Sequence, residues 1–362
     1  GNLWIGTHEG LNRFDRKSEK FVHYRHDPQN TQSLSHNVIR AICEDKSGTL
    51  WIGTEQGVNR FDREQEIFTR YLHDPKNPNS LSNDDVWSIY EDKKGILWIG
   101  TNEGLNRMGP DRKRFTRYFH DSREPESLSH SRVFSIYEDQ SRRLWIGTLQ
   151  GLNRFDQERE RFVRHLPDPE NTEDITRNRV LGIQEDVNGL LWLSTRGNGL
   201  NIFDPRSGGF TKNIHDSGNP ESLSMDDLGA IYNDGTGILW IGTFGGGINK
   251  FAYLRRKFVH YAHDPRDPES LTHNDLTSVF EDSSGMLWIT TFGGGINRFD
   301  PEAKTFRHYR HDPQNPESLS SDGVHSIAEG SNGIFWIGTA AGVNRLAPGE
   351  QTFSRYQHNE QD

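Results

Sequence analysis

The sequence predicts an all-β fold built from tandem repeats, and three observations carry that expectation. Tryptophan recurs at 4, 51, 98, 145, 192, 240, 288 and 336, spaced by 47 and then 48 residues, each time in a Leu-Trp-Ile-Gly-Thr-like pentapeptide. Short alternating apolar runs lie between turn signals, with 36 Gly and 15 Pro spread along 362 residues. No stretch shows the 3.6-residue period of an amphipathic helix, which excludes a helical solenoid.

The repeat centred on Trp98 shows the elements best. Val86 to Asp92 alternates β-branched and aromatic residues and ends in Lys93-Lys94-Gly95, a tight turn, which predicts a first strand. Leu97 to Thr101 is almost wholly apolar, as suits a central strand covered on both faces. Gly104 and Leu105 open a third strand after a short polar turn, and a fourth runs from about Phe115 to Tyr118 before a Pro-containing loop. Four antiparallel strands in about 47 residues, repeated in tandem, are the signature of a β-propeller blade. The modest 31% apolar content is no obstacle, because each thin blade buries its faces against its neighbours. The first-strand segment occurs seven times, beginning at Ile39, Val86, Val133, Val180, Leu228, Leu276 and Val324, whereas the other three strands occur eight times. The expectation is therefore one propeller domain over residues 1–362 with eight blades, one of them incomplete; seven blades with a surplus three-strand module is the alternative. Both ends fall inside a repeat, so the chain reads as a segment of a longer receptor.

Composition narrows the function classes. Lys plus Arg number 42 against 52 Asp plus Glu, a net charge of −10, without the basic excess that nucleic acid requires. A single cysteine, Cys43, permits no intramolecular disulfide. No apolar run approaches the roughly 20 residues of a membrane-spanning helix.

The consensus Val-x-Ser-Ile-x-Glu-Asp-x-x-Gly-x-Leu-Trp-Ile-Gly-Thr-x-x-Gly-Leu-Asn-Arg-Phe-Asp resembles the two-component regulator propeller repeat along essentially the whole chain. The resemblance implies an extracytoplasmic sensor domain of a bacterial hybrid histidine kinase or related receptor, located in the periplasm and tethered to the membrane through its parent protein. It implies a membrane-anchored signalling module as partner and, in some members, glycan fragments as ligands. The further β-sandwich that such receptors place before the membrane, and any kinase, receiver or cyclase, have no counterpart in this sequence.

Motifs repeated in every blade belong first to the blade, since one site need not be copied eight times. The Glu-Asp pairs, such as Glu91-Asp92 and Glu138-Asp139, mimic acid/base carboxylates but sit at turns where Asp accepts from backbone amides. The Asp-x-x-Gly-x-x-Trp turn is reminiscent of the Asp-box of sialidase propellers, itself a structural motif. The His-Asp pairs, such as His73-Asp74 and His120-Asp121, occupy equivalent outer positions on diverging blades and cannot converge on a metal about 2 Å from each ligand, so they are read as loop organisers. The recurring Arg13, Arg60, Arg107, Arg154, Arg298 and Arg345 are read as surface ion pairs with acidic turns. No catalytic residue, metal or cofactor is assigned.

Function is sought where repeats disagree. The second residue of the first strand reads Arg40, Trp87, Phe134, Leu181, Gly229, Thr277 and His325 between near-invariant neighbours. In a propeller this column lies at the channel mouth, on the face that carries the interblade loops. The turn between second and third strands emerges on the same face and also varies; at Arg196-Gly197-Asn198, Phe244-Gly245-Gly246 and Phe292-Gly293-Gly294 it holds the extra residue that lengthens the spacing. Glycine lets backbone approach a ligand closely and the phenylalanines offer stacking surfaces. Trp87 is the one tryptophan of nine outside the repeated column. The candidate ligand-binding residues are thus Arg40, Trp87, Phe134, Arg196, Phe244, Phe292 and His325, and the expected ligand is a small molecule or an oligosaccharide. Two other classes are weighed: a propeller enzyme, lyase or hydrolase, for which no nonrepeated nucleophile and base are evident, and a protein-interaction or homodimerisation platform.

Overall fold

Apolar alternation closed by Asp-x-x-Gly turns makes each repeat a meander of antiparallel strands. In the third repeat these are Val86–Glu91, Leu97–Thr101, Gly104–Met108 and Phe115–Tyr118, paired in chain order, each where the sequence places one. The computed structural model describes residues 3–15, 20–109, 111–165, 179–233, 238–252, 257–330 and 333–357. Among these residues there are eight sheets and no helix: seven sheets have four strands, and the first, of Leu3–Thr7, Gly10–Asp15 and Lys20–Tyr24, has three. The fold is an all-β propeller fold of four-stranded antiparallel blades, and the count of eight with one incomplete is the one found. Contacts divide the chain into two compact units, Gly1–Glu185 with Arg206–Gly208, and Asp186–Pro205 with Gly209–Asp362.

The second strands carry the core. Every residue of Leu50–Thr54, Leu97–Thr101 and Leu144–Thr148 in the first unit, and of Leu191–Thr195 and Leu287–Thr291 in the second, is buried. Each apolar cluster joins the tryptophan of one blade to the strands of the next: Trp51 packs with Leu81, Val86, Leu97, Ile99 and Phe115, and Trp288 with Leu319, Val324, Ile337 and Phe353.

The Glu-Asp pairs are polar clips between these layers. Asp92 Oδ1 accepts the backbone N–H groups of Lys94 and Ile96, closing the turn, while Oδ2 accepts the indole N–H of Trp98 at 3.0 Å. Asp45 with Trp51, Asp139 with Trp145, Asp186 with Trp192 and Asp282 with Trp288 repeat that bond. Burial alone would raise the carboxyls of Asp45 and Asp282, but these donated bonds outweigh it and hold both below the usual range. The neighbouring glutamate reaches back one blade: Glu91 accepts the N–H of Lys46, Glu138 that of Lys93 and Glu185 that of Gln140.

The His-Asp loops are organised as expected. His73 Nδ1 lies 2.8 Å from the carbonyl of Leu81, Asp74 Oδ1 accepts the N–H of Lys76, and Asp74 N–H donates to Ser80 Oγ. The same set recurs at His120 and His263. The loop then enters the next blade under a buried triad, in which Asn106 Oδ1 accepts the N–H of Ser82, Asn106 Nδ2 donates to Ser82 Oγ, and that hydroxyl lies 2.9 Å from Thr101 Oγ1. Several of the repeated arginines are ion-paired, as Arg13 with Glu66 at 2.6 Å and Arg107 with Glu160 at 2.7 Å.

Candidate functional site

The variable column has a local structural cause. In five blades the pairing of first and second strands shifts register between the first and third residues, for example Val86 opposite Thr101 but Ser88 opposite Gly100. Arg40, Trp87, Phe134, Thr277 and His325 are therefore β-bulge residues, left out of the ladder and turned from the pleat. Freed from pairing, this position tolerates any side chain. Thr277 uses it structurally, its hydroxyl donating to the carbonyl of Val324 at 2.7 Å.

The turns between second and third strands lie beside the bulges, as the topology predicts. Gly104 N–H donates to the carbonyl of Ser131 in the following interblade loop, and Asn102 N–H to Asp85 just before the first strand of its own blade. Phe244 with Asp227, and Phe292 with Asp275, repeat the second bond at 2.9 Å. Gly245 and Gly293 hold φ of 107° and 103°, which the longer Phe-Gly-Gly-Gly turns require.

In the first unit the bulges form a ladder. The Arg40 guanidinium lies 4.1 Å from the Trp87 ring centre, Trp87 meets Phe134 edge-on at 5.4 Å, and Arg179 covers Phe134 at 5.2 Å. Arg40 is fixed by Glu55 at 2.7 Å and by Asp85, whose Oδ1 lies 3.1 Å from Nε in an ion-pair contact without hydrogen-bond alignment. Trp87 is half-buried, and its indole N–H, like Asn102 Oδ1 and Arg132 Nε, is buried without a hydrogen-bond partner.

In the second unit the aromatic groups are open. Phe244 is 39% exposed and Phe292 61%. Phe244 lies over Gly229, where a Cβ would come within 3.2 Å of its ring, so the glycine of the column makes room for the phenylalanine of the turn. Arg196 sits 5.1 Å from the Phe244 ring centre with Asp227 3.4 Å away, and His325 lies 6.5 Å from Phe292. Each candidate thus has a neighbour among the others of its own unit: Arg40, Trp87 and Phe134; Arg196 and Phe244; Phe292 and His325. Sequence reasoning missed Arg179 and Asp85. The signal lay two residues before the bulge, where the repeats read Val38, Asp85, Arg132, Arg179, Asp227, Asp275 and Gly323.

Two clefts lie away from this face, at the outer strands: one of about 240 Å³ lined by Tyr118, Glu126 and Phe162, and one of about 290 Å³ lined by Tyr261, Glu269 and Phe306. Among the described residues no group of three His, Cys, Asp or Glu is placed to hold a metal ion, and no helix is long and apolar enough to cross a membrane.

No curated protein matches the sequence. Among solved structures, the extracellular domain assigned to the hybrid two component system BT4673 from B. thetaiotaomicron aligns at 19% identity and TM-score 0.45 over 99% of this chain and 59% of that one. The corresponding domain of BT3049 from the same organism aligns at 23% and 0.38 over 100% and 57%. The chain thus spans under three fifths of the length of either domain. Virginiamycin B lyase from Staphylococcus aureus shares the fold at 14% identity and TM-score 0.56, over 83% of this chain and 91% of the enzyme. The family model for the two component regulator propeller matches residues 33–56, 80–103, 127–150 and 318–341, each running from an interblade loop to the turn after a second strand. By this model the four matched repeats belong to the two component regulator propeller family.

Proposed function

We propose that this chain is the ligand-recognition part of an extracytoplasmic sensor, carried by a membrane-tethered parent protein, and that it binds a soluble oligosaccharide on the face formed by the bulges and the turns between second and third strands. The observation that carries this reading is the pair of open phenylalanines, Phe244 and Phe292, on matching glycine turns of consecutive blades. An exposed ring held by a rigid turn offers the apolar face of a sugar a stacking surface at little entropic cost. Electrostatics favours a neutral ligand: Arg40 is matched by Glu55 and Asp85, and Arg196 by Asp227, so neither cation is left to neutralise an anion. In the first unit, the unpartnered N–H of Trp87 and carbonyl of Asn102 offer one donor and one acceptor, which a hydroxyl can satisfy in turn. The sensor role is supported by the repeat family.

Calorimetry with a panel of neutral glycans tests the reading. Wild type is expected to bind at least one glycan, and Phe244→Ala with Phe292→Ala to weaken it about tenfold or more, the equivalent of about 1.4 kcal/mol. No heat with any glycan, together with stable pairing to another protein, overturns the proposal in favour of an interaction platform; turnover of the glycan overturns it in favour of an enzyme.

A further inference from the structure

The two open phenylalanines share a neighbour, Asp275. It pairs with Phe244 across an isolated antiparallel bridge, and its carbonyl accepts the N–H of Phe292 at 2.9 Å. Its carboxylate lies beside the first turn, with Oδ1 3.7 Å from the place a Cβ would take on Gly245, where Met225 Cε stands at 3.4 Å. Over the second turn a Cβ on Gly293 would meet nothing within 4 Å, so that side is open. All of these residues belong to one compact unit. The polar side chains around Asp275 are committed: Asp227 holds Arg196 at 3.4 Å, the Thr277 hydroxyl donates to the carbonyl of Val324, Asn274 Oδ1 accepts the N–H of His263, and Asp322 Oδ1 that of His311. Asp275 differs. Its side chain is 45% exposed and accepts no hydrogen bond among the described residues; His273 Nδ1, 4.0 Å away, already accepts the N–H of Asp275 itself and so has no proton to offer the carboxylate. Two carboxylate oxygens are thus left unused between two exposed rings.

We propose that Asp275 is the specificity-determining residue of the surface between Phe244 and Phe292, and that the sugar it selects carries an unsubstituted vicinal diol; this rests on the glycan reading above. Two adjacent hydroxyls of one ring donate to the two oxygens of the carboxylate, in charge-assisted bonds stronger than those to a neutral acceptor. The phenylalanines give affinity but discriminate little, because the sugar rings of many glycans present an apolar face. The carboxylate discriminates: a glycan linked or methylated at the diol would cover it without supplying donors, at the cost of an unpaired charged acceptor. The same charge repels a uronate or a sulfate, which keeps the ligand neutral.

The probes are cellotetraose, xylotetraose, mannotetraose and maltotetraose, titrated by calorimetry into the whole chain, each with a counterpart O-methylated at both hydroxyls of the diol. At least one tetraose should bind. Asp275→Ala should weaken it about tenfold or more, and Asp275→Asn, which keeps one acceptor oxygen, by less. The methylated counterpart should bind wild type about tenfold more weakly than the parent glycan, yet bind wild type and Asp275→Ala alike, because the contact can be lost only once. Since the carboxylate accepts no hydrogen bond in the fold, Asp275→Ala should melt as wild type does, and the methylated glycan gives the same answer on unaltered protein. Equal binding of the parent glycan by wild type and Asp275→Ala, with binding still lost in Phe244→Ala with Phe292→Ala, overturns this inference and leaves the glycan reading standing. So does a loss in Asp275→Ala that is the same for parent and methylated glycan, since the residue then acts through the fold. No heat from any of the four tetraoses also overturns it, whereas binding retained in the phenylalanine double variant overturns the reading on which it rests.

Discussion

His165 stands where six of the seven other repeats carry tyrosine, at Tyr24, Tyr71, Tyr118, Tyr261, Tyr309 and Tyr356. In those blades the tyrosine ring lies against the repeated tryptophan, as Tyr118 against Trp98 at 6.2 Å, and His165 keeps that place against Trp145 at 5.7 Å. Imidazole differs from phenol in titrating at ordinary pH. Burial, and secondarily the charge of Arg154, lower its pKa from 6.5 to about 4. Between about pH 6.5 and 4 the unfolded chain takes up a proton that the native chain refuses, so this residue lowers stability as pH falls through that window, with the full loss present below the folded value. His165→Tyr should therefore melt higher than wild type by a margin that widens from pH 7 to about pH 4 and is then constant. Melting curves across that range check it; a margin independent of pH would show that the histidine does not titrate on unfolding.

At the scale of the element, the interblade loop is held by a fourth-strand side chain of the next blade. Arg70 donates from Nε to the carbonyl of Ser33 at 2.8 Å, and from one terminal nitrogen to the carbonyls of Asn30 and Leu34 and to Ser33 Oγ at 2.7 to 2.9 Å. Arg164 and Arg355 do the same for their loops, and in blade 6 His260 reaches the carbonyl of Ser222 alone. A planar fork serves several acceptors at fixed angles where an ammonium cannot. Arg70→Lys should keep the charge yet lose most of the grip, raising amide exchange in residues 30–34 about tenfold while the strand Leu50–Thr54 stays protected. Hydrogen exchange by mass spectrometry reads both segments at once. Strand positions were legible because they rest on local alternation and on turn residues such as Lys94-Gly95. The Arg70 bonds span 36 to 40 residues and the Glu91 to Lys46 clip 45, so no window of sequence contains both ends. The variable column was legible as a column, but its bulge was not, since a bulge is a relation between Trp87 and the register of Ser88 on Gly100. For the same reason the ladder of Arg40, Trp87, Phe134 and Arg179 emerges only when consecutive blades are laid side by side.

For the molecule as a whole, stability is assembled from neighbour to neighbour. Leu81 leads into blade 3 and is fully buried among Trp51 and Val58 of blade 2 and Val86, Leu97, Ile99, Met108 and Phe115 of blade 3. Truncating it leaves a cavity in that layer, at a cost of roughly 2–5 kcal/mol for a buried Leu→Ala. The layer centred on Trp288, Leu319, Val324 and Phe353 shares no residue with it and lies in the other compact unit. In a chain of repeats that contact only their neighbours, such damage is felt where it is made, because opening one layer exposes little surface elsewhere. Leu81→Ala should accordingly raise exchange in residues 50–61 and 86–118 by one to several orders of magnitude and leave 335–346 close to wild type. Leu319→Ala should give the mirror pattern. Equal loss of protection in both segments from either substitution would mean that the chain opens only as one cooperative body, and the cost of each cavity would then appear in full at every strand.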